Sequence, residues 1–338
     1  MIDKHIQYLS NEEISRLSNG RKMTELNIGG LDFYHCKGSF VHIYSKGFVC
    51  FSADGTSYAA KDSFNYARDD FLIKNKIENE DIVKSDTVFI DGLCISLATP
   101  WSFNFYHWIE ELTKAYWLEF NGVYPNYIIP NNSPIYSESL QLLGIPKSRI
   151  VPLNGFNLSF RECILSPQIN FHPRVNFKPL LVHFQQFIYS LPRSDTSSAP
   201  CFILRRQGGI TFSNRELMNS DEVEDFCDRR GIECFDPSEM SFADQVMAFR
   251  NRRMLLGVHG AGFCHQIWMK QRSCIIEILS PQYIHFTTLN LANALENYYF
   301  MCTQDSRGVT STGSTPEKVY ANIDLMENIF RTASQLLT

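Results

Sequence analysis

The chain has 338 residues and a formal net charge of −5, with 36 acidic and 31 basic side chains. A nucleic-acid-binding protein would carry a basic excess, so this charge argues against nucleic acid as a partner. With 44% hydrophobic and 20% charged residues, the composition is that of a globular protein whose length suits two domains. The sequence has no apolar run of about 18 residues, so no membrane-spanning helix is predicted. The polar N-terminal stretch does not resemble a signal peptide.

The ten cysteines are scattered singly, and no C-x-x-C pair occurs. Several lie inside apolar runs, as Cys94, Cys163, Cys201 and Cys274 do. This pattern favours reduced thiols over a disulfide framework, and it argues against a structural zinc site.

The first ninety residues predict a β-rich N-terminal region. Short apolar runs at residues 40–44 and 48–51 are typical of strands, and glycine-containing turns separate such runs. Residues 88–97 predict a further pair of strands, with Asp91 and Gly92 as the turn of a hairpin.

Residues 101–120 predict a mostly helical segment, because apolar side chains recur there at helical spacing. His107 and Glu111 lie four residues apart, hence about one turn from each other on one face, with Glu110 adjacent. A carboxylate in that position can orient an imidazole and raise its basicity, which is a common construction of a general base. The alternative is a histidine packed at a helix start beside two solvated glutamates.

Strand and helix then alternate, with strands at 127–130 and 149–152 around a helix at 137–143. This alternation predicts parallel strands in a sheet. A stretch containing proline and asparagine, residues 166–179, marks the passage to a second domain. The predicted parts of the chain are residues 1–175, 176–314 and 315–338.

The second domain begins with a buried strand at 201–204, which Arg205 and Arg206 follow directly. Ligands of open α/β sheets bind at the carboxyl ends of the strands. A guanidinium at that position can bind a diphosphate through two hydrogen bonds and stays charged. The alternative is two arginines on an exposed strand end. A helix is predicted at 222–230, and Ser241 is the predicted N-cap of the next one.

A strand, a glycine turn, a short apolar helix and a second strand are predicted within residues 255–281. The turn is His259-Gly260-Ala261-Gly262. It places main-chain amides and a helix start where an anion can bind, and its glycines let a phosphate approach the main chain. His259 can hydrogen-bond or protonate what binds there. The alternative is a tight turn with no ligand.

Glu277 lies on or just beyond the second of these strands, at 274–279. A lone carboxylate is costly at a buried position unless it has a partner. That partner is either a sugar or ribose hydroxyl or a neighbouring arginine.

Five pieces of the chain together form a more specific pattern than any one of them. They are Asn104-Phe105-Tyr106-His107-Trp108-Ile109-Glu110-Glu111, the strand ending in Arg205-Arg206, the turn around Asn214, the helix start Ser241-Phe242 with Gln245, and His259-Gly260-Ala261-Gly262 with Ile276-Glu277-Ile278. In this order they resemble glycosyltransferase family 61 over about half of the chain. Departures from the family's pattern are His265 in place of a common asparagine, and Arg215 between Asn214 and the acidic Glu216.

The resemblance implies an α/β fold with two Rossmann-like domains facing a cleft (GT-B-like), preceded by the β-rich N-terminal region. The first domain would face the acceptor and carry the catalytic residues His107, Glu111 and Glu110, with either His107 or Glu111 as the base. The second domain would bind the donor, and 315–338 would form a helix that starts at Thr315-Pro316-Glu317 and crosses back to the first domain. The implied donor-binding residues are Arg205, Arg206, Asn214, His259, Gly260, Ala261, Gly262 and Glu277.

The implied reaction is a metal-independent, inverting transfer of a sugar from a nucleotide sugar, UDP-linked by expectation, to a glycan or lipid-linked glycan. Metal-dependent transferases typically use a D-x-D pair, and the sequence contains no D-x-D tripeptide; no cofactor is expected. A bacterial, cytoplasmic enzyme of capsular or lipopolysaccharide synthesis is predicted, with peripheral contact at the inner face of the membrane. The alternatives are a pseudoenzyme that binds a sugar nucleotide and an epimerase that acts on one.

Overall fold

A computed structural model describes most of the chain. The described residues are 7–28, 30–43, 48–53, 56–60, 87–99, 102, 104–167, 169, 176–192, 196–204, 216–280, 284–303 and 318–338. The chain forms two compact units, residues 1–170 and 171–338.

The first unit contains one mixed sheet with an antiparallel and a parallel half. Its strands are β1 (Gln7–Leu9), β2 (Arg21–Ile28), β3 (Leu31–Ile43), β4 (Phe48–Ala53), β5 (Thr56–Ala60), β6 (Thr87–Phe89), β7 (Leu93–Ser96), β8 (Asn126–Ile129), β9 (Ile150–Pro152) and β10 (Asn157–Leu165). Their order is β1-β5-β4-β3-β10-β7-β8-β9, with β2 beside β3 and β6 beside β10. The long strand β3 pairs antiparallel with β2, β4 and β10, whereas β10, β7, β8 and β9 run parallel.

Three helices of this unit are described: α1 (Asn11–Leu17), α2 (Phe105–Phe120) and α3 (Ile135–Leu142). α2 connects β7 to β8, and α3 connects β8 to β9, so the predicted alternation of strand and helix with parallel strands is confirmed. α2 begins where Asn104 Oδ1 accepts a hydrogen bond from the Tyr106 amide at 2.9 Å. It ends at Asn121 and at Gly122, whose φ of +73° suits glycine.

The predicted hairpin at Asp91 and Gly92 is wrong. β6 and β7 both pair in parallel with β10, one after the other along its length. Gly92, at φ +85°, makes a kink between two strands that continue in one direction. The register of β10 against β3 shifts between Phe160 and Glu162, the point that separates its pairings with β6 and β7. An Asp-Gly pair favours any positive-φ position, and the wider sheet decided which kind of bend it makes here.

The second unit contains a parallel sheet of five described strands in the order β13-β11-β14-β15-β16. They are β11 (Cys201–Ile203), β13 (Glu233–Phe235), β14 (Met254–Val258), β15 (Cys274–Leu279) and β16 (Tyr298–Thr303); β12 (Glu216–Leu217) and β17 (Lys318–Val319) form a separate parallel pair. The helices are α4 (Lys178–Ser190), α5 (Ser220–Arg230), α6 (Phe242–Arg250), α7 (Thr287–Ala294) and α8 (Ile323–Leu337), and 3₁₀ helices span Pro237–Glu239 and Ala261–Ile267; another 3₁₀ helix, Lys147–Arg149, lies in the first unit. The predicted βαβ succession is therefore confirmed.

The final helix starts later than predicted. Residues 315–317 lie outside the described residues, but Val319, predicted to lie on the helix, belongs to β17 and is buried. α8 begins after Asn322, whose side chain accepts a hydrogen bond from the Leu325 amide at 3.0 Å. Its apolar face packs in the core of the second unit, where Phe330 meets Phe226 edge-on at 5.9 Å between ring centres. A crossing of this helix to the first domain stays a prediction.

The molecule is thus mixed α/β, as the alternation of elements predicts. All ten cysteines lie in the described part of the chain, and no disulfide joins any of them. Within the described ranges, no helix is both long enough and apolar enough to cross a lipid bilayer.

Candidate functional site

His107 lies in the first turn of α2, close after the carboxyl end of β7. β7, β8 and β9 follow one another outward in the sheet, and β10 then returns to the other side of β7. The gap between β7 and β10 is therefore a topological switch point, where open parallel sheets bind their ligands outside the carboxyl ends of the strands. The sequence motif around His107 thus falls at the position in this unit that general topology assigns to a ligand.

The carboxylate that contacts His107 is Glu110. Its Oε2 lies 2.8 Å from His107 Nδ1, and the glutamate side chain is fully buried while the imidazole is 17% exposed. Burial raises the pKa of the Glu110 carboxyl to about 7, and the hydrogen bond with His107 opposes that rise. Glu110 Oε1 is buried without a hydrogen-bond partner among the described residues. The Glu110 carboxyl can therefore take up or release a proton near neutral pH.

Glu111 does not make the predicted contact with His107. Lys114 Nζ lies 2.9 Å from Glu111 Oε1 and 2.8 Å from Oε2, and both side chains are buried. The same Nζ donates to Ser166 Oγ at 3.4 Å, next to the end of β10. Burial raises the pKa of Glu111 above its usual value, and Lys114 opposes the rise. The i, i+4 spacing would allow Glu111 to contact His107, but its carboxylate pairs with the buried ammonium of Lys114 instead.

His42 is a residue near this site that sequence reasoning missed. It lies on β3, is fully buried, and its Nε2 is 3.0 Å from the carbonyl oxygen of Ala98. Burial lowers the pKa of His42 to about 4, so the ring is neutral at pH 7 and donates to that carbonyl. The contact ties β3 to the segment that leads from β7 to α2. An isolated histidine in a strand carries no sequence signal for such a role.

The second unit has a switch point of its own, between β11 and β14. The chain runs from β11 to β13 on one side and then crosses to β14 on the other. Arg205 and Arg206 follow β11 in sequence, and His259 follows β14. Arg205, Arg206 and Asn214 lie outside the described residues, so their role in binding a donor stays a prediction. The topology nevertheless puts the carboxyl ends of both predicted strands at one edge of the sheet.

His259 and Glu277 contact each other, and the glutamate has two further partners. His259 Nδ1 lies 2.5 Å from Glu277 Oε1, which also accepts a hydrogen bond from Thr288 Oγ1 at 2.6 Å. The Tyr299 hydroxyl donates to Glu277 Oε2 at 2.6 Å. The glutamate is fully buried, and the two predicted partners, a sugar hydroxyl and an arginine, are not among these three. No spacing in the sequence connects Thr288 or Tyr299 with Glu277.

The glycine turn differs in part from its prediction. The helix after it, Ala261–Ile267, is a seven-residue 3₁₀ helix that starts earlier than the predicted one. A Cβ on Gly262 would lie 3.0 Å from Ile203 Cδ1, so this glycine allows close packing on β11. A Cβ on Gly260 would have no neighbour nearer than 3.8 Å. Of the two glycines, Gly260 is therefore the one whose missing side chain leaves open space.

One departure from the family pattern, His265, and two matches to it, Ser241 and Gln245, have packing or capping roles in the structure. His265 is buried, its ring stacks on Phe249 at 4.2 Å, and Trp268 Nε1 donates to its Nδ1 at 3.1 Å. Burial lowers the pKa of His265 to about 3, so it is a neutral acceptor. Ser241 accepts from the Asp244 amide as the predicted N-cap, and Gln245 donates to the Met240 carbonyl.

Within the described residues, no group of three or more histidine, cysteine, aspartate or glutamate side chains is arranged to hold a metal ion.

Comparison with known proteins identifies the family of the chain. The sequence matches the family model for glycosyltransferase 61 over residues 105–276, just over half of the chain. That range begins at the first residue of α2 and ends within β15, so it includes His107 and His259. No curated protein matches the sequence. Members of this family transfer a sugar from a nucleotide-sugar donor to a glycan acceptor. The chain belongs to glycosyltransferase family 61 and is a glycosyltransferase.

Proposed function

We propose that this enzyme is an inverting, metal-independent glycosyltransferase in which His107 is the general base. The observation that carries the proposal is the His107–Glu110 pair, because a buried carboxyl with a pKa of about 7 holds the imidazole at 2.8 Å. A carboxylate that contacts Nδ1 orients the imidazole, so that its other nitrogen can take up a proton. The absence of a D-x-D tripeptide from the sequence supports metal independence.

In the proposed reaction, an acceptor hydroxyl attacks the anomeric carbon of the donor sugar. The new bond joins the acceptor oxygen to that carbon, and the bond from the carbon to the diphosphate oxygen breaks. The hydroxyl proton passes to His107 Nε2, since Nδ1 already contacts Glu110. The nucleoside diphosphate leaves with the electron pair, and its charge needs stabilisation. Arg205, Arg206, Asn214, His259 and the main chain of Gly260, Ala261 and Gly262 are the proposed donor-binding groups. Glu277, also predicted to bind the donor, is proposed to act through His259, which it contacts.

The proposal extends to a GT-B arrangement, in which the two units face each other across a cleft, and to surface-polysaccharide synthesis in the cytoplasm. The donor is proposed to be UDP-linked and the acceptor a glycan or a lipid-linked glycan, with peripheral contact at the inner face of the membrane. The family's reaction class supports this extension. Cell fractionation and the identification of the acceptor would test it.

A panel of nucleotide sugars tested by thermal shift names the donor, because a ligand that binds only the folded state raises the melting temperature. Gly260→Ala should remove most of that shift without lowering the melting temperature of the ligand-free protein, since its Cβ meets open space. Gly262→Ala is the contrast, because its Cβ meets Ile203 whether or not a donor is bound. A full thermal shift in Gly260→Ala would place the donor elsewhere.

Transfer to an identified acceptor then tests the base. A folded His107→Ala variant that retains the wild-type rate would refute the proposal. Product analysis also separates the alternatives, because an epimerase would convert the donor with no acceptor present and a pseudoenzyme would not turn it over at all.

A further inference from the structure

The Glu277 carboxylate brings together three elements of the second unit around one histidine. Glu277 lies on β15, and its partners lie in the turn after β14, on α7 and on β16. The three hydrogen bonds measure 2.5, 2.6 and 2.6 Å, in the range of bonds to charged oxygens. Neither oxygen of this carboxylate lacks a protein partner.

Two of the partners can only donate to an ionised carboxylate. The Thr288 hydroxyl donates to Oε1, and the Tyr299 hydroxyl donates to Oε2. Burial is the largest cause that raises the pKa of Tyr299 well above its usual value, and Glu277 adds to the rise. The phenol therefore keeps its proton. With both hydroxyls directed at it, Glu277 accepts from His259 as well, and His259 Nδ1 carries the proton.

We infer that Glu277, Thr288 and Tyr299 are positioning residues that hold His259 with its Nδ1–H toward the carboxylate, so that Nε2 is the nitrogen presented to the donor. The contact with the donor rests on the proposed function, whereas the orientation of the ring rests on the hydrogen bonds alone. A fixed tautomer lets Nε2 accept a hydrogen bond when the ring is neutral and donate one when it is protonated. Either state of the ring suits a group beside a leaving diphosphate. The protonated ring also neutralises part of the charge of the diphosphate.

Among the described residues, the titratable groups near His259 include Glu277 and His285, and Tyr299 bonds the same carboxylate. The ring of His285 lies 6.1 Å from that of His259. A protonated His285 would oppose protonation of His259, whereas Glu277 favours it. Each hydroxyl that bonds the carboxylate withdraws part of its charge from His259. Removing one hydroxyl should therefore raise the pH at which His259 titrates.

The test is a nitrogen-15 NMR titration of histidine-labelled, ligand-free protein, with His259 assigned from His259→Gln. Wild type should show the Nδ1–H tautomer. Tyr299→Phe and Thr288→Val should keep this tautomer and raise the His259 titration midpoint by about 0.3 pH units or more. Glu277→Gln should lower the midpoint and mix the tautomers. Tyr298→Phe and Thr287→Val are adjacent controls, expected to leave His259 unchanged.

A wild-type Nε2–H tautomer, or unchanged midpoints in both Tyr299→Phe and Thr288→Val, would overturn the inference. If one of the two variants does not fold, the other decides, because the two hydroxyls bond different oxygens. The NMR result needs no donor, so it stands or fails separately from the proposed function. With an identified donor, the two variants should lower kcat several-fold while KM for the donor changes less than twofold.

Discussion

The two units each hold a histidine beside a glutamate at a switch point of a parallel sheet, but the two pairs are built differently. In the first unit, Glu110 is one helical turn from His107, and one of its oxygens has no hydrogen-bond partner among the described residues. In the second unit, Glu277 comes from another strand and accepts three hydrogen bonds. The first carboxyl has a pKa raised to about 7, which suits proton exchange. The second carboxyl has a hydrogen-bond partner on each oxygen, which suits orientation of a ring.

The largest expected effect is on catalysis, at the pair proposed to move a proton. His107→Ala should lower the rate of transfer by about 10²–10⁴-fold, the usual contribution of a general base. His35→Ala is a matched control, because His35 also contacts a glutamate, Glu162, at 3.1 Å in the same unit. Transfer assays with a saturating acceptor would measure both variants. Equal rates of transfer for the two variants would contradict the proposal that His107 is the general base.

The buried ion pair beside His107 should give the largest effect on stability. Lys114→Met leaves Glu111 buried without its cation and should lower the free energy of unfolding by about 3–5 kcal/mol. Removing both charges in Glu111→Leu/Lys114→Met should restore most of the loss, as urea denaturation can show. Lys37→Met is the exposed control, expected to change the free energy by less than about 1 kcal/mol.

The same double variant also sharpens the assignment of the base. If it folds and retains transfer, Glu111 is a structural partner of Lys114 and His107 is the base. If it folds with wild-type stability and loses transfer, Glu111 takes part in catalysis and the His107–Glu110 pair is not sufficient.

The pH dependence of stability tests whether Glu110 titrates as its burial indicates. Its pKa rises from 4.5 to about 7 on folding, so the folded state binds this proton more tightly than the unfolded state. The stabilisation is complete below about pH 4.5 and is lost as the pH rises through 7. At about 1.4 kcal/mol per pKa unit, wild type should lose about 3 kcal/mol relative to Glu110→Gln between pH 4.5 and 8. A constant difference, measured by urea denaturation at several pH values, would contradict the raised pKa.

The smallest effect is expected on stability, at the hydrogen bonds to Glu277 in the second unit. Tyr299→Phe removes one of three hydrogen bonds to Glu277 and should lower the free energy of unfolding by about 1–2 kcal/mol. Tyr298→Phe removes a hydroxyl that bonds Arg272 at the surface and should change it by less than about 0.5 kcal/mol. Thermal denaturation compares the two. If Tyr299→Phe is as mild as Tyr298→Phe, the three-donor arrangement contributes little and the contrast between the two pairs weakens.

Much of the fold could be predicted because periodicity and capping are local signals. α2, with its apolar spacing, and the strands β14 and β15 around the glycine turn follow from short stretches of sequence. The start of α8 could not be predicted in the same way. Thr315-Pro316-Glu317 is a good local helix start, but Val319 gains more by burial in β17 beside Leu217.

By itself, the sequence determined the family, the alternation of strands and helices in the parallel part of each unit, and the two histidines of the proposed site. Only the tertiary structure decided which carboxylate each histidine contacts. Glu110 and Glu111 are both within one turn of His107, and a buried lysine with a second partner on Ser166 selects between them. Glu277 meets His259, Thr288 and Tyr299 only because three separate elements fold around one strand. Hydrogen bonds between distant elements depend on how the sheet brings those elements together, and the spacing of residues along the sequence does not predict this.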